Sequence, residues 1–209
     1  MRALLIVPEG DAAAFARAMA SGPDAVLADA TAAAGWKGQG PALFVRVRPL
    51  DEAGALDDLA AAVRLKPSGV ALARAGGGAD VQRLGARLAV EEARQGLADG
   101  ALRILAFATD APEAVLGLPS YRGASARLAG LIVTRAALAA ALRAAPDSGP
   151  VRLARDLAVI SARAAGVPVF DTIVAGLPAE AHAARSDGFD GMAALSPEQV
   201  SVIRAAFAP

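Results

Sequence analysis

Ala3-Leu4-Leu5-Ile6-Val7, the segment Asp11 to Ala20, and Asp24-Ala25-Val26-Leu27-Ala28-Asp29 make the opening unit from which the fold is read. The two apolar runs are continuous rather than alternating, as expected of strands buried on both faces of a parallel sheet. Between them Asp11 is a plausible N-cap for an alanine-rich helix. The same rhythm continues outward. Ala42 to Val47 is a third strand, ended by Pro49, and Asp51 to Leu65 is a helix with Leu56, Leu59, Val63 and Leu65 at helical spacing. Gly69 to Ala73 is a fourth strand, after which Gly76-Gly77-Gly78 opens a helix from Asp80 to Leu97. Leu102 to Phe107, Leu128 to Val133, Val167 to Phe170 and Met192 to Leu195 complete eight strands. Helices are expected at Ala136 to Ala145, Pro150 to Ala165, Ala179 to Ser186 and, from a first-turn proline, Pro197 to Phe207. Eight strand–helix units predict an α/β protein, a compact (β/α)8 TIM barrel, with residues 1–209 forming a single domain.

Composition narrows the chemistry. The chain has 209 residues, is 55% hydrophobic and carries 21 basic against 21 acidic side chains, so disorder is excluded and no bulk field draws nucleic acid. With no cysteine there are no disulfides, thiolate nucleophiles or thiolate-held metals. His182 is the only histidine and falls in a helix, which excludes any site needing two imidazoles. No apolar run approaches the roughly 20 residues of a membrane span, and the N-terminal run stops at Pro8, short of a secretory signal. A cytoplasmic protein with no membrane partner is expected. Gly38-Gln39-Gly40 precedes a strand, so it is not a dinucleotide-binding turn.

In a barrel of this kind chemistry sits where the strands end. The polar residues predicted there include Glu9, Asp29, Arg46, Arg48, Arg74, Thr109, Asp110, Thr134, Arg135, Asp171 and Thr172. Alternating arginine and aspartate suit a pocket for a carboxylate or phosphate, because guanidinium forks match those oxygens. Gly76 and Gly77 present backbone N–H groups to an anion in one reading, and form a turn vacated by lost side chains in the other. Arg46 and Asp29 read either as substrate contacts or as a buried ion pair with each other.

The chain also resembles the citrate lyase β-subunit-like family of the HpcH/HpaI aldolase superfamily. Leu4-Leu5-Ile6-Val7-Pro8-Glu9-Gly10-Asp11 and Ala20 to Leu27 resemble its opening "LFVPGDRPERFEKALASGADAVILD". Phe44 to Leu50 resembles "VRVNPL", and Gly188 to Val200 is similar to "GFDGKLAIHPDQI". The resemblance implies a TIM barrel that forms homo-oligomers through its last helix. It also implies a carbon–carbon lyase for acyl-CoA thioesters or small keto and hydroxy acids, using a Mg2+ ion held by a Glu and an Asp. Carried onto this sequence, the metal-binding Glu falls on Asp110, or on Thr109 if the register shifts by one, and the metal-binding Asp falls on Ala137. Arg46 takes the place of the substrate-binding arginine and Asp171 is kept.

The resulting expectations are these. Arg46 and Asp110 are the catalytic candidates; Arg46, Asp29, Arg74, Gly76, Gly77 and Asp171 are the candidates for binding a small carboxylate or acyl-CoA ligand. Asp110 is the one remaining candidate metal ligand, and Arg135 is a possible replacement for the ion's charge. Two functions stay open: a lyase, working with its metal or using Asp110 as a metal-free base, and a silent homologue that binds ligand or serves in assembly. Val200, Ile203 and Phe207 share one apolar face of the last helix, which is expected to meet a neighbouring subunit.

Overall fold

The computed structural model describes residues 1–174 and 176–208. Eight parallel strands close into a barrel: β1 (Ala3–Ile6), β2 (Ala25–Ala28), β3 (Ala42–Val47), β4 (Gly69–Leu72), β5 (Arg103–Phe107), β6 (Leu128–Ile132), β7 (Val169–Thr172) and β8 (Gly191–Ala194). They pair in chain order, and β8 returns to β1 with Met192 beside Ala3 and Ala193 beside Leu4. Around them lie α1 (Ala12–Ala20), α2 (Ala55–Arg64), α3 (Gly78–Arg94), α4 (Pro112–Gly117), α5 (Arg135–Leu142), α6 (Gly149–Ala165), α7 (Ala179–Ser186) and α8 (Pro197–Ala206).

Strand side chains alternate between the interior and the helical shell. Leu4, Leu27, Leu105 and Ile132 fill the interior together with Phe44, Phe107 and Phe170, so half of the chain's six phenylalanines lie inside the barrel. Their bulk is balanced by Ala25, Ala71 and Ala193 on other strands. Glycines complete the fit: a Cβ on Gly130 would stand 2.9 Å from the Phe170 ring, and one on Gly69 would stand 2.8 Å from the Phe44 ring. The opposite strand faces, with Leu5, Val26, Val45, Val70 and Ile104, meet the helices in a second apolar layer.

Polar groups lock the end of the barrel at which the strands begin. Glu92 of α3 is fully buried; it accepts from Arg127 at 2.7 and 2.8 Å and from the backbone N–H of Leu102 and Gly100. Burial pushes its carboxyl up, but these donors outweigh that and hold it below its ordinary value.

Two connections and the packing of the last helix differ from expectation. No helix joins β2 to β3; turns carrying the half-buried Trp36 do so instead. The β5–β6 connection holds α4 and a 3-10 turn, Leu118–Tyr121, neither of which is among the helices read from the sequence. The expected subunit-facing surface of the last helix is covered by the protein's own barrel. Helix α8 packs on β1, β8 and α7, and Val200, Ile203 and Phe207 are buried there. Among the described residues no helix is long and apolar enough to cross a membrane.

Replacing fully buried Ile203 with alanine is expected to cost about 2–5 kcal/mol of stability. Urea unfolding measures that cost, and sedimentation should show an unchanged association state.

Candidate active site

The last inward-facing positions of β3 and β7, and the residues just beyond β5 and β6 on the same parity, are Arg46, Thr172, Thr109 and Thr134. They ring the mouth above Phe44, Phe107, Ile132 and Phe170. Asp110 joins them from the loop after β5. One carboxylate oxygen accepts from the backbone N–H of Arg74 at 3.0 Å and the other from the Thr134 hydroxyl. Thr109 Oγ1 in turn accepts from the backbone N–H of Thr134 at 2.9 Å. The ends of β4, β5 and β6 are thereby joined through one carboxyl group. Burial pushes the Asp110 carboxyl up; the Thr134 hydroxyl and Arg74 pull it down by less, so it stays above its ordinary value.

Arg74 holds this corner with its backbone. Its φ of 46° lies in the left-handed region, a conformation a non-glycine residue adopts at a cost of roughly 1–3 kcal/mol. The exposed guanidinium pairs with Glu52 across a cleft of about 340 Å3 that is also lined by Asp80, Arg83 and Glu113.

Across the mouth, half-buried Arg46 meets Glu9 at 3.5 Å, and Glu9 is 82% exposed. The proposed Arg46–Asp29 pair is absent among the described residues. Asp29 instead accepts from the backbone N–H groups of Gly10 (2.7 Å), Thr31 (2.8 Å) and Ala32 (2.9 Å), tying the loops after β1 and β2 together. Burial pushes its carboxyl up, and the three donors more than offset this, leaving it lowered.

Gly76 does not present its backbone N–H to an anion. The Gly76 N–H is taken by Asp80 at 2.7 Å, and the neighbouring Gly78 N–H by Ser120 Oγ at 2.8 Å. The triplet is a close packing joint rather than a loose turn. A Cβ on Gly78 would lie 2.1 Å from the Ser120 carbonyl oxygen, and one on Gly117 would lie 2.0 Å from that of Gly76.

Asp171 is likewise not at the mouth. Phe170 points into the barrel, so Asp171 points out of it, where it accepts from Arg155 of α6 at 2.8 and 3.0 Å and lies 3.2 Å from Arg135. Arg135 is therefore no substitute cation. Its guanidinium is held on β7 and α7 by the Thr172 carbonyl oxygen and Glu180. Sequence reasoning missed Glu52, Ser120, Arg155 and Glu180, because each acts through a partner distant in the chain.

The donors at this mouth do not fit a magnesium ion. Such an ion needs several oxygen ligands turned toward it. Both Asp110 oxygens face protein donors, Ala137 is an exposed methyl on α5, and among the described residues no three acidic or histidine side chains converge as a metal-binding group.

A closed parallel barrel with a buried acid and an arginine at its carboxyl mouth belongs to the class of TIM-barrel proteins. No family model matches the chain. It is 27% identical over 233 aligned positions to citrate lyase subunit beta of Haemophilus influenzae, covering 100% of this chain and 80% of that protein. It is 29% identical over 174 positions to citrate lyase subunit beta of Escherichia coli K12, covering 79% of this chain and 57% of that protein's length. A solved citrate lyase beta subunit from Mycobacterium tuberculosis, complexed with oxaloacetate and magnesium, superposes with a TM-score of 0.78 at 20% identity over 99% of this chain and 96% of that one. The chain is similar in sequence to citrate lyase beta subunits and shares the fold of the solved one.

An acid with a raised pKa keeps its proton longer in the folded state than in the unfolded one. Stability should therefore fall as pH rises from the ordinary value of 3.8 through the pKa of Asp110, and then level off. Urea midpoints across that range should show the fall, and Asp110→Asn should remove this component of it.

Proposed function

We propose that the protein is a carbon–carbon lyase of the citrate-lyase-β-like type, acting on a small keto or hydroxy acid or its acyl-CoA thioester. Asp110 serves as the acid–base group and Arg46 as the carboxylate anchor. One observation carries the reading: a carboxyl group with a raised pKa, fixed between the ends of β4 and β6 in the mouth. The family relatives add to it, since one solved neighbour is a complex with oxaloacetate. A group of this kind exchanges protons near its own pKa, as general acid–base catalysis requires.

In the cleavage direction the Asp110 carboxylate takes the proton of a hydroxyl placed β to a carbonyl. The carbon–carbon bond breaks, the hydroxyl carbon becomes a carbonyl, and the electron pair passes to the departing fragment as its enolate. Asp110 then returns the proton to the enolate carbon. The Thr134 hydroxyl and the Arg74 N–H hold the carboxyl in place. No step is assigned to a metal, in keeping with the donors at the mouth. The same reading makes this a cytoplasmic protein working on dissolved metabolites.

Arg46 has a labile partner in Glu9, which is mostly in solvent, so a substrate carboxylate exchanges with it at small cost. Arg48 and Asp29 line the same opening.

A second reading, a ligand-binding homologue without turnover, rests on the engagement of both Asp110 oxygens by the protein's own donors. Calorimetry and product assays with oxaloacetate and with acetyl-CoA thioesters separate the two. The lyase reading expects turnover that survives chelation of divalent ions and rises with pH as Asp110 deprotonates. It also expects Asp110→Asn to lose at least about 100-fold in turnover while retaining binding. Binding without turnover in the wild type selects the second reading, and unchanged turnover in Asp110→Asn rejects the role given to Asp110.

Glu9→Gln should tighten carboxylate binding about two- to fivefold by removing an exposed competitor, whereas Arg46→Ala should weaken it by tenfold or more. Titration calorimetry on the two variants checks the pair, and equal affinities would remove Arg46 from the site.

A further inference from the structure

We infer that the free end of the substrate is an apolar chain, seated on the rim of the mouth opposite Asp110; this rests on the proposed anchoring of a carboxylate at Arg46. Strand parity places that rim. Leu4 and Ala193 face the barrel interior side by side, and Leu5 stands beside Ala194, so the next inward pair is Ile6 and Leu195. On the other side of β8, Thr172 stands beside Ala193, and two residues further Val174 comes level with Leu195. Leu195 is 55% exposed and Val174 36%, Pro8 is exposed and Ile6 is half-buried.

The mouth is thus divided by polarity. Arg46, Thr109, Thr134 and Asp110 stand on the side of β3, β5 and β6, and the cleft beyond Arg74 is lined by charged side chains. From β7 through β8 to β1, Val174, Leu195, Ile6 and Pro8 carry no charge. The backbone there is spent as well. The N–H groups of Leu195 and Ser196 donate to Gln199 Oε1 at 2.7 and 3.2 Å, and that of Val174 donates to Glu180 at 3.0 Å. A polar group arriving at these N–H groups loses its water without compensation. An alkyl chain gains by covering side chains that water already touches.

Ligand sites combine apolar walls with a few polar groups that fix orientation, and this mouth has that division. Strands β8 and β1 lie across the ring from β4 and β5. An acid anchored at Arg46, with its reacting carbons at Asp110, therefore turns its remaining carbons toward Leu195. Single exposed leucines are ordinary. Here the apolar positions are consecutive around the rim and adjoin the group that fixes one end of the ligand. The occupant is an acid carrying an alkyl or aryl chain rather than a polycarboxylate.

Titration calorimetry of the full chain with 2-oxobutanoate, 2-oxopentanoate and 2-oxohexanoate reads the contribution of the chain. Affinity should rise about threefold with each added methylene. 2-Oxopentanoate should bind at least about tenfold tighter than 2-oxoglutarate, which has a carboxylate in place of its terminal methyl. Leu195→Asn and Val174→Ser, both at exposed positions, should flatten the dependence on chain length. Leu195→Arg should reverse the preference in favour of 2-oxoglutarate, which a merely structural role would not do. Ile160→Asn, on the outer face of α6, should change neither. A flat series in the wild type, or a dependence that survives Leu195→Asn combined with Val174→Ser, overturns the apolar seat and leaves the lyase reading to be judged on turnover. Absence of turnover with the dependence intact rejects the lyase reading and keeps the seat. Absence of binding by every acid overturns both.

Discussion

Everything in the structure depends on the alternation of side chains around a closed ring of parallel strands. Once β8 pairs with β1, no strand can slip by a residue without exchanging its inner and outer faces. Phe44, Phe107 and Phe170 set the parity of β3, β5 and β7, and small residues opposite them make the ring narrow enough to fill. The same parity then dictates the mouth. It carries Arg46 inward above Phe44 and turns Asp171 outward beside Phe170, into the hands of Arg155 and Arg135. One packing constraint thereby separates a residue available to ligand from one committed to holding helices on the barrel.

The charges divide along similar lines. Asp29, Glu92 and Asp171 are each surrounded by several protein donors and serve to fasten loops and helices. Burial lifts the pKa of Asp171 as well as that of Asp110, but Asp171 lies outside the barrel between two arginines. Asp110 is at the mouth with two donors, and Arg46 there has a single solvent-exposed partner. These two are the incompletely compensated groups at the mouth, which is why the functional reading rests on them rather than on the more numerous acids nearby.

The fold was legible because its signals are local. Continuous apolar runs mark strands buried on both faces, and all eight lie within a residue or two of where the sequence puts them. The site was less legible, for a physical reason: a rim residue is defined by what it faces. Proximity to a strand end suggested Asp171, and only parity inherited from Phe170 removes it. The glycine triplet looked open because its packing partners, Gly117 and Ser120, lie about forty residues away. The apolar face of α8 reads from the sequence as a contact with a neighbouring subunit, whereas it packs on the barrel of its own chain, because sequence alone does not say to which chain a covering surface belongs.

The joint formed by Gly76, Gly77 and Gly78 against Gly117 and Ser120 constrains how this corner of the mouth can change. Two backbones there touch without side chains between them, so neither loop has room to acquire bulk unless the other withdraws. Variation at this corner must come as paired replacements, which random single changes seldom supply. The opposite corner, where the carboxylate of Asp29 spans two loops, has no such interlock. New specificities should therefore arise on that side of the opening, with the glycine side persisting as a fixed wall against which they are shaped.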